Sequence, residues 1–197
     1  MMDKLSVVIV GDVSRQITRD CVESLGDCQT IIEPFDGNYN RSLNRGYKKA
    51  EHDYIAFCNN DLIFTPGWFD KLLPHFNEYD SLSPYCPLTH KKWWKNKLPS
   101  GIVEGFTIGK ILAGWCFVMK RKTYIKIGSF DEDVDFWYSD DIYADQLKFH
   151  GLKHALVCDS YVMHKGSSTL TELPPAELKR LTFNQRYLYI NAKQKYA

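Results

Sequence analysis

Within the first 75 residues, short apolar runs alternate with segments of helical periodicity, and this alternation narrows the possible folds more than any other feature of the chain. Residues 5–10, 30–35 and 54–58 are brief and rich in β-branched or aromatic side chains, the pattern of buried strands. Between the first two, Ile17, Cys21, Val22 and Leu25 share one helical face over 15–25, with Ser14 as N-cap and Gly26 as stop. Residues 40–50 place Leu43, Tyr47 and Ala50 on one face. Thr65-Pro66-Gly67 then opens a further helix, with proline where a helix tolerates it best. Strand and helix alternating in this way predict an α/β fold, a mostly parallel central sheet flanked by helices.

Ligands of such sheets bind beyond the carboxyl ends of the strands. Asp12, Asp36 and Asn59-Asn60-Asp61 all fall at those ends. The length of 197 residues suits one domain, so 1–197 is read as a single unit. A net charge of +1 sets up no global field for nucleic acid or membrane. The opening apolar run is too short for a signal peptide core, and no run reaches the ~18 apolar residues of a membrane span. Six cysteines are scattered without a Cys-x-x-Cys pair, which reads as reduced thiols in a cytoplasmic protein.

Residues 77–110 read as irregular, with Ser83-Pro84-Tyr85-Cys86-Pro87 and the run Lys91-Lys92-Trp93-Trp94-Lys95-Asn96-Lys97 as loop. Strand character returns over 111–119 around Gly114. A short helix over 123–127 closes at Gly128, a helix over 140–149 ends near Gly151, and 154–158 is a strand. After Pro174-Pro175 one final helix carries Leu178, Leu181, Gln185 and Leu188 at three-and-four spacing, with Tyr187, Tyr189 and Tyr196 available to cover a partner.

Three clusters could carry chemistry. Asn59-Asn60-Asp61 can hold a hard cation, because magnesium and manganese need few protein ligands when a diphosphate supplies the rest; it can equally be a turn that ends a strand. Asp140-Asp141, partly shielded by Phe136, Trp137 and Tyr138, would repel and raise one pKa as a general base requires, or would cap a helix start. His164 beside a carboxylate would suit manganese better than magnesium, and Lys165 with Gly166, Ser167 and Ser168 could cradle a diphosphate. A lone structural histidine is the other reading. The metal reading requires that Asp61 and His164, about a hundred positions apart, converge.

In order and spacing these segments resemble the family-2 glycosyltransferases of the GT-A fold, in particular their rhamnosyl- and galactofuranosyltransferase-like branch. The resemblance rests on the 5–10 strand, Asn44-Arg45-Gly46 with Ala50, the run from Tyr54 to Asp61 with Pro66-Gly67-Trp68, Gly114 through Met119 with Arg121, Gly128, Phe130-Asp131-Glu132 and Asp140-Asp141, and His164 with Gly166 and Ser168. It spans about 5–168. It implies a GT-A-like domain with a nucleotide-binding half over about 1–75, an acceptor half over about 76–170 and a C-terminal helix over about 171–197. It further implies Asp61 and His164 as ligands of Mn2+ or Mg2+, and Asp141, with Asp140 beside it, as the base in an inverting displacement. Asp12, Asp36, Asn44, Asn60 and Lys165 would lie on the side of a UDP-, GDP- or dTDP-sugar donor. Gly114, Trp115, Asp131 and Glu132 would shape the acceptor pocket.

The chain departs from that pattern in three places: Asn59 stands for the first acid of the family's Asp-x-Asp, Gly11-Asp12-Val13 for its aromatic-Asn loop, and Tyr143 for a second Asp after the base. Trp93 and Trp94 among lysines could stack on and pair with an acceptor, either a glycan or other hydroxyl compound or hydroxymethylated bases of viral DNA. Two rival classes are a sugar nucleotidyltransferase, which would want a glycine-rich basic loop after the first strand, and a non-catalytic nucleotide-sugar-binding module.

Overall fold

A computed structural model describes residues 4–94, 99–166, 174–183 and 185–197. Lys95, Asn96, Lys97, Ser167 and Ser168, all invoked above, lie outside the described residues. The first strand β1 (Leu5–Val10) is buried along its whole length. Helix α1 (Gln16–Glu23), strand β2 (Gln29–Glu33), helix α2 (Tyr39–Lys49) and strand β3 (Tyr54–Asn59) follow in the expected order. β1 pairs in parallel with both β2 and β3, with Val8 opposite Ile31 on one side and Phe57 on the other. Because side chains alternate along a strand, β1 feeds two cores. Leu5, Val7 and Ile9 join Cys21, Trp68, Phe69 and Leu72 on one face. Val8 and Val10 join Leu43, Phe57, Tyr124 and Tyr143 on the other. α2 presses so close to the sheet that Gly46 meets Val8 where any Cβ would collide.

Past β3 the chain adds β4 (Leu62–Phe64), α3 (Trp68–Leu72), β5 (Ser81–Tyr85), α4 (Pro87–His90), β6 (Ile102–Glu104), β7 (Cys116–Lys120), α5 (Arg121–Ile127), α6 (Ser139–Phe149) and β8 (His154–His164). The strands form one mixed sheet in the order β2-β1-β3-β7-β5-β8-β4, with β6 on β8. β5 runs parallel to β8, while β7 is antiparallel to both β3 and β5, and β4 and β6 are antiparallel to β8.

Several expectations are corrected. The irregular 77–110 stretch holds β5, whose five residues are all buried, as well as α4 and β6. Ser81 and Ser83 sit inside because Tyr143 donates to the one hydroxyl and the Ala113 amide to the other. Pro84 is tolerated because the β5–β8 register shifts there. β7 begins only at Cys116, which leaves Gly114 and Trp115 in the loop before it. β8 runs past 158 to His164. The C-terminal run breaks at Phe183 into α7 (Pro175–Thr182) and α8 (Gln185–Lys193). Leu181 is buried and Leu178 and Leu188 are half-buried, whereas Tyr187 is exposed. Among the described residues no helix is long and apolar enough to cross a membrane.

Candidate active site

Asp61 stands in the tight connection between β3 and β4, and β4 pairs antiparallel with the end of β8, so that Leu62 faces His164. The Lys165 amide donates to the Asp61 carbonyl at 3.0 Å, which locks the two chain segments together. Their side chains meet: His164 Nε2 lies 3.2 Å from Asp61 Oδ1. Trp115 stacks flat on the imidazole, with ring centroids 5.2 Å apart and planes 21° from parallel. Asp61 Oδ1 and both imidazole nitrogens are buried without a hydrogen-bond partner among the described residues. Buried polar atoms of that kind call for a ligand, water or ion. A carboxylate oxygen and an imidazole nitrogen converging in one place fit a divalent cation. Among the described residues no group of three or more His, Cys, Asp or Glu could hold a metal.

Around the pair, Tyr39 donates to Asn59 Oδ1 at 2.8 Å, and the Asn59 amide donates to the Trp115 carbonyl at 2.9 Å. Tyr39 is the residue most clearly missed from sequence. It opens α2 at the carboxyl ends of the strands, and its phenol is held far above its usual pKa by burial and by charges that include Asp61 and Asp140.

The acid pair is placed unequally. Asp140 lies in the first turn of α6 against Gly114, where a Cβ would come within 2.6 Å of Asp140 Oδ2. Together with Tyr39, Asn40 and Ser139 it lines a small cavity. Asp140 is half-buried by exposure, yet almost wholly ringed by protein. That burial, and then the neighbouring charge of Asp141, raise its pKa to about 7. Burial also raises Asp141, which interacts with Asp140 and feels the charges of Asp145 and Lys148.

The remaining sequence candidates divide. Asp36 lies exposed at the end of β2, ion-paired with Arg45 and with Arg41 at 3.2 Å. Asp12 accepts from the Ser14 amide at 2.8 Å, a bond that holds its carboxyl below the usual range. Lys165 pairs with Asp20 at 3.3 Å. Asn60 is buried under Gly11 and donates to Thr18 at 2.9 Å. Asn44 is a clamp within the protein: it donates to the Phe130 carbonyl and Glu132, and accepts from Tyr124 and the Phe130 amide. Asp131 is likewise engaged by Lys195 and Tyr196, in a cavity of about 330 Å³ that does not include Asp61, His164 or Asp140. Neither Asn44 nor Asp131 has the free polar atoms that a donor or acceptor contact needs, and Glu132 holds Asn44. Gly114 and Trp115 adjoin Asp140 and His164 respectively. Trp93 is exposed, and Trp94 lies half-buried with Lys110 Nζ 4.7 Å above its ring.

Residues 2–128 match the family described as glycosyl transferase family 2. The chain belongs to that family. The matched stretch contains Asp61, while Asp140, Asp141 and His164 lie beyond it. Two uncharacterized glycosyltransferases, of Rickettsia prowazekii (strain Madrid E) and Rickettsia typhi (strain ATCC VR-144 / Wilmington), are 20% and 21% identical over 88% of this family-2 chain. The chain spans 59% of the length of each. Its fold is that of known glycosyltransferases. A Drosophila β1,4-galactosyltransferase 7 mutant, solved with manganese, UDP-Gal and xylobiose, superposes with a TM-score of 0.60 at 13% identity, covering 89% of this chain and 79% of the other. GalNAc-T7, solved with UDP, GalNAc and Mn2+, gives 0.59 at 12% identity over 97% of this chain and 50% of the other. These likenesses support the GT-A-like single α/β domain.

Proposed function

We propose that this family-2 chain is a metal-dependent inverting glycosyltransferase that moves a sugar from a nucleotide-sugar donor, a UDP-sugar first, to a hydroxyl of a saccharide acceptor. The observation that carries the reading is the meeting of Asp61 and His164 beneath Trp115, with Asp140, in the first turn of α6, near enough that it and Asp61 both act on the Tyr39 phenol. Manganese and UDP in the two superposed structures support the choice of metal and donor.

In this reading Asp61 and His164 would hold the Mn2+ or Mg2+ together with the donor's diphosphate. The bound ion supplies neutralising charge for the departing nucleoside diphosphate. Trp115 keeps the imidazole plane aimed at Asp61, and Tyr39 steadies the Asn59 turn that carries Asp61. Asp140 Oδ2 takes the proton of the acceptor hydroxyl while the acceptor oxygen bonds to the anomeric carbon and the nucleoside diphosphate leaves. Such a base is typically worth ~10²–10⁴-fold in rate. Asp141 acts as the neighbour whose charge keeps Asp140 basic. Asp12, Asp36 and Lys165 remain on the donor side, at or beside the strand ends. Placement with the rhamnosyl- and galactofuranosyltransferase-like enzymes belongs to the same proposal and rests on the ordered motifs alone. No specific observation favours DNA as acceptor, nucleotidyl transfer or a silent binding module.

The test is release of UDP from a panel of UDP-sugars with manganese, in wild type and in Asp61→Ala and His164→Ala. Turnover that survives in both variants with unchanged manganese dependence would overturn the metal assignment. Pyrophosphate-dependent formation of UTP would replace transfer with nucleotidyl chemistry.

A further inference from the structure

We propose that Tyr85, Thr89, His90 and Trp94 form a hydrogen-bonding subsite for the hydroxyl groups of a sugar, next to the Asp61–His164 pair. The proposal rests on the transferase reading above and adds Tyr85, Thr89 and His90 to Trp94, which the sequence already offered as an acceptor contact.

The segment begins where β5 ends and continues through α4 into the turn that follows. Its rings form a continuous stack that ends at the metal pair. Tyr161 meets Tyr85 edge-on at 6.0 Å, and Tyr85 stacks on His90 at 5.1 Å. His90 tilts against Trp115 at 5.8 Å, and Trp115 covers His164. Along the segment from the end of β5 to Trp94, four polar atoms are shut off from solvent and have no hydrogen-bond partner among the described residues: Tyr85 Oη and His90 Nε2 within the ring series, and Thr89 Oγ1 and Trp94 Nε1 beside it in sequence. His90 is fully buried.

The chemistry of the row can be read from the bonds that are made. His90 Nδ1 lies 2.8 Å from the Cys86 amide nitrogen, which can only donate, so Nδ1 must accept. A neutral imidazole that accepts at Nδ1 carries its proton at Nε2, so the orphaned nitrogen is a donor. Burial holds the ring neutral by lowering its pKa to about 4. Trp94 Nε1 can only donate, and the two hydroxyls can donate or accept. Neutral donors beside flat rings suit neutral oxygens on a body with apolar faces. A pyranose or furanose offers just that, since its C–H faces stack on aromatics and its hydroxyls lie at the rim. None of the four residues carries the charge that a phosphate would call for, the cation at this row being Lys110, whose Nζ lies over the Trp94 ring. Leu88 in α4 and Trp93 just after it are exposed on the same short segment.

An unpaired buried donor weakens the free protein and rewards a ligand that satisfies it. Tyr85→Phe and Thr89→Val each delete one such group and keep most of the volume, so two measurements decide the matter. The melting temperature without ligand should stay level or rise in both variants; a fall of several degrees in both would mean that the hydroxyls are satisfied internally, and the subsite would be lost. Titration with manganese then compares UDP with UDP-galactose and UDP-N-acetylgalactosamine. If the row holds the transferred sugar, affinity for a UDP-sugar drops roughly fivefold or more per variant while UDP itself is unaffected. If it holds the acceptor, donor affinities stay level and the KM for xylobiose or another oligosaccharide acceptor rises by a similar factor. Equal losses for UDP and UDP-sugars, or variants indistinguishable from a wild type that binds them, overturn the subsite alone. A wild type that binds neither UDP nor any UDP-sugar overturns the transferase reading itself.

Discussion

A carboxylate that serves as a base must be ionised at the working pH and still want a proton, and Asp140 meets both conditions through its surroundings. Burial raises its pKa to about 7 and the charge of Asp141 pushes in the same direction, so the two titrate as a pair. Turnover should therefore fall about tenfold per pH unit below ~7, as protons fill the pair. Asp140→Asn should lose more than ~100-fold in kcat with donor affinity preserved. Asp141→Asn removes the neighbouring charge and should move the acid limb to lower pH. If Asp141→Asn abolishes turnover and Asp140→Asn does not, the two roles are exchanged. Stability gives an independent check. The folded-state pKa lies above the unfolded one, so the folded protein holds the extra proton between about pH 4 and 7 and loses stability as pH rises through that window. Asp140→Asn should accordingly be more stable than wild type at pH 8, by on the order of 3 kcal/mol, and much less so near pH 4. Denaturant melts at the two pH values read this directly, and a variant equally destabilised at both would show Asp140 to be a structural acid. The family resemblance put the base on Asp141, and the case for Asp140 could not be read from the sequence because it rests on packing against Gly114, some two dozen positions away in the chain.

The element that carries those acids begins in an unfavourable conformation. Tyr138, at the N-cap of α6, has φ 67°, a left-handed value that favours glycine. It is held there by α8: Tyr189 stacks on Tyr138 with centroids 5.2 Å apart and planes 9° from parallel. The Tyr189 hydroxyl donates to Asp145 at 2.8 Å, one helical turn beyond the acid pair. Tyr189 is thus a positioning residue for the start of α6. Tyr189→Ala should lower kcat about tenfold, leave the affinity for UDP with manganese unchanged, and broaden the acid limb of the pH profile; Tyr189→Phe, which keeps the stack, should restore most of the rate. Parallel losses of kcat and melting temperature in both variants would reduce the contact to general packing. Elements of this kind differ in how far a sequence discloses them. β1 and β3 announce themselves because each face of a doubly covered strand must be apolar. β5 reads as loop because its interior is Ser-Leu-Ser-Pro-Tyr, and the partners of its buried serines, Tyr143 and His154 for Ser81 and the Ala113 amide for Ser83, come from distant parts of the chain. The pairing of Asp61 with His164 was legible from motif order alone. The internal clamp made by Asn44 was not legible, because a buried amide clamp and a ligand contact use the same side chain.

At the scale of the molecule, the site joins parts of the sheet that no single segment contains. Asp61 follows β3, the member of the parallel β2-β1-β3 group that borders β7, whereas His164 ends β8, which pairs with β5 on the other side of β7. A cation held by one residue from each, and completed by a diphosphate, should couple three equilibria: metal binding, donor binding and unfolding. Two protein ligands make a weak site alone, so manganese by itself should bind poorly and UDP by itself modestly, each strengthening the other by the same factor as linkage demands. Calorimetric titrations of manganese with and without UDP, and of UDP with and without manganese, should return equal ratios well above one. Ligands that bind only the folded state also raise its melting point. At about a hundred times Kd the gain is ~2.7 kcal/mol, or roughly 5–10 °C for a domain of this size. UDP with manganese should approach that shift, exceed the sum of the two separate shifts, and lose the excess in His164→Ala. Shifts that merely add would mean that the two ligands do not meet, and that the convergence of Asp61 and His164 serves the fold rather than the donor.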